Sequence, residues 1–193
     1  MVSEMEKIEN FVMQELIKAG RGAHTLDHTT RVYALCMKIG SELNANLRVL
    51  GAAALLHDVG RPREDDTGVS HSILSGEIGR GILSDSGFTD KEIDQVVDAI
   101  RTHRFSEGLE PNSLEGEILS DVDKLDAMGA IGVFRAIAQA ESGGGGIEAF
   151  LKHADEKLLK LKDLMYTKPS RTEAEKRHKT LETYVNQLQN ELE

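Results

Sequence analysis

Apolar residues recur along almost the whole chain at the three-to-four-residue spacing of amphipathic helices. Ser3 followed by Glu6 has the form of a capping box and predicts a helix from there to about Gly20. A second helix is expected from about Asp27 to Leu43, with Val32, Leu35, Cys36 and Ile39 on one stripe. A third runs from about Leu47 to His57 and stops near Gly60-Arg61-Pro62, where glycine and proline end a helix. Residues 63–69 then read as a loop. Helices follow over about 70–84 and 90–104. In the latter, Ile93, Val96, Val97 and Ile100 share a face, and Thr89 with Glu92 makes a second capping box. Residues 106–113, with Pro111, form a loop. Helix resumes from about Leu114 and continues to Ala140, with an irregularity expected at Gly129 or Gly132. Gly143–Gly146 breaks it, since four glycines carry too much backbone freedom for a rigid element. Two last amphipathic helices span about Ile147–Met165 and Thr172–Leu192, the second striped by Leu181, Tyr184, Val185, Leu188 and Leu192. No stretch shows a strand's alternation, and there is no internal repeat. The expectation is an all-α protein: a single-domain helical bundle over residues 1–193, with core motifs in 20–140 and the helices of 147–193 packing on it.

Composition agrees. The chain has 193 residues, 3 prolines, no tryptophan and 4% aromatics, which leans towards helices. With 39% hydrophobic and 29% charged residues it can bury a core and is too apolar for disorder. Cys36 is the single cysteine, which excludes an intramolecular disulfide and a cysteine-rich zinc site. No apolar run approaches a membrane span and the N-terminus is too acidic for a signal peptide, so a cytoplasmic protein is expected.

The formal net charge of -10 changes the picture more. It speaks against a long nucleic-acid partner, which needs a basic face, and against docking on an anionic membrane. It leaves open a small anionic substrate held through a metal, because a bound cation inverts the local field. The acid excess lies in residues 1–150, which hold 25 acidic and 14 basic side chains, against 8 and 9 in the remainder.

Five of the seven histidines fall within residues 24–103, each near an expected helix end. Leu55-Leu56-His57-Asp58-Val59-Gly60 sets an imidazole and a carboxylate at the end of an apolar helix, and both are ligands for a divalent cation. Taken alone, the dipeptide reads first as a core histidine beside a solvated aspartate. Two further segments tip the balance. His24, Asp27, His28, Arg31 and Val32 lie upstream, and Asp121, Asp123, Lys124, Leu125, Asp126 and Ala127 downstream. A carboxylate inside an apolar helix needs a partner or a metal.

Together, His28, His57-Asp58 and Asp123 resemble the His, His-Asp, Asp order of the HD superfamily of metal-dependent phosphohydrolases, over roughly residues 20–140. The resemblance implies four metal ligands: His28, His57, Asp58 and Asp123. Asp121 lies about 200° around a helix from Asp123 and faces away from it. The resemblance further implies a divalent cofactor (Mn, Mg, Co, Ni or Fe; one ion or two) and a small phosphorylated substrate, a nucleotide first. Asp58 is then the catalytic residue that orients or deprotonates the attacking water. His24, Arg61, His71, His103 and Lys124 are the candidate substrate contacts, and in some family members histidines placed like His71 and His103 hold a second metal instead. No Gly-Tyr-Pro tripeptide follows His103, which speaks against a cyclic-dinucleotide phosphodiesterase. Two other classes remain open: a two-iron HD-type oxygenase, and a non-catalytic helical ligand-sensing domain. A homodimer is compatible with the stripe on the last helix.

Overall fold

A computed structural model describes residues 3–18 and 22–193, with all their side chains except those of residues 18, 22–25 and 65. Ten α-helices follow one another among the described residues: α1 (Glu4–Lys18), α2 (Gly22–Glu42), α3 (Leu47–Leu56), α4 (Arg61–Thr67), α5 (His71–Asp85), α6 (Asp90–Thr102), α7 (Leu114–Asp126), α8 (Gly129–Ser142), α9 (Gly146–Glu156) and α10 (Lys168–Asn190). Short 3-10 segments occupy Phe105–Glu107 and Leu158–Leu164. No strand occurs among the described residues, so the protein is all-α. None of these helices is long and apolar enough to cross a membrane. The chain divides into two compact units, one ending at Ser120 and one running from Asp121 to Glu193.

The first unit is built on α3, whose residues Val49 to Leu56 are all buried. Helices α1, α2, α5 and α6 pack against it. The spacing of Ile93, Val96, Ala99 and Ile100 puts four buried apolar residues on one face of α6. A fully buried Leu, Ile or Val contributes roughly 1.5–3 kcal/mol, and a helix cap about 1 kcal/mol. Packing therefore decides that these helices form, and caps decide where they begin. Asn46 accepts the backbone N–H groups of Arg48 and Val49 ahead of α3. The expected capping boxes are present at Ser3 with Glu6 and at Thr89 with Glu92.

Gly60 ends the turn that follows α3, and its lack of a side chain positions the site. A Cβ there would lie 2.6 Å from Leu74 Cβ and 2.6 Å from the Ser75 amide nitrogen. The turn can thus lie directly on α5, where the Gly60 N–H donates to Ser75 Oγ at 2.9 Å.

The expected loop at 63–69 is instead mostly helix: α4 starts at Arg61 and carries Pro62 in its first turn. A proline there costs nothing, since the N–H it lacks would have no partner in the helix. The same physics moves the start of the last helix from Thr172 back to Lys168, with Pro169 in its first turn. Helix α2 begins at Gly22, ahead of Asp27. The long helix expected over 114–140 splits at Gly129, whose φ of 68° is open to glycine and strained for other residues. The segment expected as helix to Met165 turns 3-10 after Glu156.

In the second unit α8, α9, the 158–164 segment and α10 pack on one another. Phe150, Leu158, Leu161, Leu181 and Val185 are buried there. Asp121 is wholly buried. Its carboxylate accepts the N–H groups of Tyr166 and Thr167, each at 2.8 Å, and the Thr167 hydroxyl at 2.9 Å. It thereby serves the start of α10, where the Thr167 side chain makes no cap bond of its own.

Candidate metal centre

Four helices of the first unit deliver the chemistry. His28 stands within α2, His57 and Asp58 in the turn after α3, His71 at the first position of α5, and His103 just past α6. All five are buried, so Asp58 is not a solvated helix-end residue. Their ring nitrogens and carboxylate oxygens form two groups, His28–His57–Asp58 and Asp58–His71–His103, with the ligand atoms of each within 4.8 Å of one another. Asp58 belongs to both.

In the first group, His28 Nε2 and His57 Nε2 are 3.1 Å apart, and Asp58 Oδ2 lies 3.7 Å from the one and 3.8 Å from the other. Two ligands about 2.1 Å from a cation and at right angles are about 3.0 Å apart. The histidine pair therefore has the spacing of adjacent ligands on an octahedral ion, tighter than a tetrahedral site requires. In the second group, His71 Nε2 lies 3.3 Å from Asp58 Oδ1. The His57 and His103 rings are 5.2 Å apart, and those of His71 and His103 5.5 Å.

Hydrogen bonds on the far side of the rings fix which nitrogen faces inward. His57 Nδ1 is 2.8 Å from the Ala54 carbonyl, and His103 Nδ1 is 2.5 Å from that of Ile100. A carbonyl only accepts, so each Nδ1 carries a proton and donates it. When these rings are neutral, Nε2 presents a lone pair to the centre. His71 repeats the arrangement with a carboxylate: its Nδ1 is 2.9 Å from Glu64 Oε2. This back-bonding is how metal-ligating histidines are held.

Burial pushes the His71 imidazole down from its ordinary pKa. Asp58 and the Glu64 hydrogen bond act against that, while Arg61 and His103 add to it. The balance favours the neutral ring at neutral pH, with its lone pair at Nε2. Burial would raise the Glu64 carboxyl, but hydrogen bonds from His71 and Arg104 outweigh it and hold the group at about 2. Lone pairs and carboxylate oxygens thus converge from several sides, a donor set that fits a divalent cation.

Of the residues singled out from sequence, His28, His57, Asp58, Arg61, His71 and His103 come together. Arg61 Nε donates to Asp58 Oδ2 at 2.9 Å, and its Nη2 is 3.5 Å from His71 Nε2. His24 stands in the first turn of α2, and its side chain lies outside the described ones. Asp123 and Lys124 belong to the second unit. Asp123 is half-buried on α7. Lys124 is buried, with Nζ 3.7 Å from Asp121 Oδ1 and 4.8 Å from the centre of the Tyr166 ring. Burial pushes its ammonium down, and the charges of Asp121 and Asp123 oppose the shift.

Sequence patterning missed the acid–base network behind His71. Glu64, expected on a solvated loop, binds His71 and Arg104. Glu107 accepts from the hydroxyls of Ser70 and Ser72 and is 3.5 Å from Arg104. The available signal was Pro62, which marks the first turn of a helix as readily as the end of one.

The HD domain family model matches residues 25–128 of the chain. The chain is 32% identical to the uncharacterized protein YpgQ of Bacillus subtilis over 199 aligned positions, which cover 99% of this chain and 95% of YpgQ. The crystal structure of B. subtilis YpgQ in complex with ADP superposes with a TM-score of 0.80 at 30% identity, covering 97% of this chain and 94% of that one. An HD-superfamily hydrolase from Bacillus thuringiensis superposes with a TM-score of 0.79 at 30% identity, covering 97% of this chain and 96% of that one.

Proposed function

The chain belongs to the HD-domain family, and from that premise we propose that it is a divalent-metal-dependent phosphohydrolase acting on a small phosphate ester or anhydride, a nucleotide first. The convergence of the His28, His57 and Asp58 ligand atoms carries the reading. The binding of ADP by YpgQ supports a nucleotide.

His28, His57 and Asp58 hold the cation, and the family pattern adds Asp123 as the fourth ligand. A bound divalent cation lowers the pKa of the water it holds and neutralises phosphate charge. Asp58 would hold the cation together with the two histidines, and its carboxylate would orient the attacking water. Arg61 meets the negative charge that develops on the phosphate, and His71 and His103 join it when their Nε2 atoms carry a proton. Arg61 suits this role because its Nε is fixed on Asp58 while the guanidinium remains part-exposed. His24 and Lys124 complete the proposed substrate contacts. The second group, Asp58–His71–His103, favours a further reading in which these residues would hold a second cation.

The test is phosphate release from nucleotides and simple phosphate esters by metal-stripped protein re-supplied with Mn, Mg, Co, Ni or Fe. A His57→Ala, Asp58→Ala double variant is expected to be silent, and activity surviving in it overturns the assignment. Two irons per chain with oxygen consumption and no phosphate release replace the hydrolase reading by the oxygenase one.

A further inference from the structure

Glu64 reaches the back of the histidine cluster from α4. Its Oε2 accepts from His71 Nδ1 at 2.9 Å, while its Oε1 is 3.3 Å from the backbone N–H of the same residue. Oε1 also accepts from Arg104 Nη1 at 2.6 Å. One side chain therefore grips both the ring and the backbone of His71 and is itself gripped by the residue after His103.

Two features make this arrangement more than a surface ion pair. The His71 side chain is almost wholly buried and Glu64 is about three-quarters covered, at 1% and 24% exposure. The second is position: His71 is the first residue of α5 and has no turn of that helix ahead of it. For His57 and His103 a backbone carbonyl three residues earlier sets the ring. His71 begins its helix, so no such carbonyl is available and another acceptor must serve. Glu64 supplies it from a different helix.

We propose that Glu64 is a positioning residue that fixes His71 in the Nδ1–H tautomer, with Nε2 turned towards Asp58. The proposal rests on the reading of Asp58–His71–His103 as a second cation group. Without Glu64 the imidazole can move its proton to Nε2 and rotate, and the lone pair the cation needs is lost. Glutamine keeps one acceptor oxygen for Nδ1–H and loses the charge that holds Arg104. Alanine loses both.

Two measurements test this on the full chain. The first is long-range proton–nitrogen NMR of the metal-free protein above pH 8, with His71 assigned by comparison with His71→Ala. The Nδ1–H tautomer is expected in the wild type and in Glu64→Gln, and a mixture or the Nε2–H form in Glu64→Ala. The second is titration with Mn alone. Weakening by about 10–100-fold of the second Mn, with the first unchanged, is expected in Glu64→Ala, and a smaller loss in Glu64→Gln. A role in folding alone would lower the melting temperature without this selective loss. An unchanged tautomer and second Mn in Glu64→Ala, while His71→Ala loses that Mn, overturn the positioning role and leave the two-cation reading standing. A wild type that binds one Mn, or a His71→Ala that still binds two, overturns the two-cation reading and the proposal with it.

Discussion

The Nε2 atoms of His28 and His57 face one another at 3.1 Å, although the two residues are 29 positions apart in sequence. Because His57 donates through Nδ1 to Ala54, its Nε2 can only accept while the ring is neutral. A short contact between two ring nitrogens is favourable with a proton or a cation between them. Proton and cation therefore compete for one place. His28→Ala and His57→Ala are each expected to weaken Mn binding by more than about 100-fold. Binding to the wild type should also weaken as pH falls, because protons take the nitrogens that the cation needs. Calorimetric titration at pH 8, 7 and 6 checks both; affinity independent of pH would remove the competition.

Asp121 and Asp123 are two residues apart on α7 and are expected to fail in opposite ways. Asp121 is wholly buried and receives three hydrogen bonds from Tyr166 and Thr167. Its loss leaves the backbone N–H groups of Tyr166 and Thr167 unserved, the latter buried, and strips Lys124 of a counter-charge. Asp121→Ala should destabilise the protein by about 3–5 kcal/mol, read as a shift in urea midpoint. Asp123→Ala should keep a near-normal midpoint and lose metal affinity. The reverse pattern would exchange their roles.

How much of this was legible in the sequence depends on the range over which each cause acts. Helix α6 was readable because both its capping box and its stripe lie within fifteen residues. His57-Asp58 was readable because the pair is adjacent and closes an apolar run. The break at Gly129 was marked by the glycine itself. The partners of Glu64 were not readable: they come from α5 and from beyond α6, 7 and 40 residues away. Proline misled at Pro62, and the helix that carries Pro169 in its first turn was placed four residues late, because the same lack of an N–H ends one helix and begins the next. The role of Asp121 was likewise hidden, since its partners lie about 45 residues downstream.

Gly60 links packing to the site. A Cβ added there would meet Leu74 and Ser75 at 2.6 Å, against backbone as well as side chain, so no rotamer change could relieve the contact. Gly60→Ala is expected to push the 57–60 turn off α5 and cost about 1–3 kcal/mol, as overpacking does. Because His57 and Asp58 lie in that turn and His71 on α5, Mn affinity should fall along with the melting temperature. Gly68→Ala is the comparison: its φ of 68° strains an alanine, but nothing lies within 4 Å of the added Cβ. It should lower the melting temperature and leave Mn affinity alone. Equal losses of Mn affinity in the two variants would separate the site from this contact.

Glu107 gives a pH dependence whose sign is fixed. Burial would raise its carboxyl, but hydrogen bonds from Ser70 and Ser72 and the charges of Arg104 and His71 lower it below the ordinary value. A carboxyl depressed in the folded state binds its proton more readily when unfolded, where its pKa is about 4.3. Its contribution is therefore complete above that pH and is lost as pH falls through the folded value. Hydrogen bonds to a charged group give a contribution of about 1–2 kcal/mol after allowance for partial exposure. Glu107→Gln should thus be less stable than the wild type by that amount at pH 7. The gap should hold down to about pH 5 and narrow as pH falls below the unfolded value. Urea unfolding of both proteins at pH 7, 5, 4 and 3 measures the gap directly, and one that stays constant to pH 3 would mean the charge on Glu107 contributes nothing.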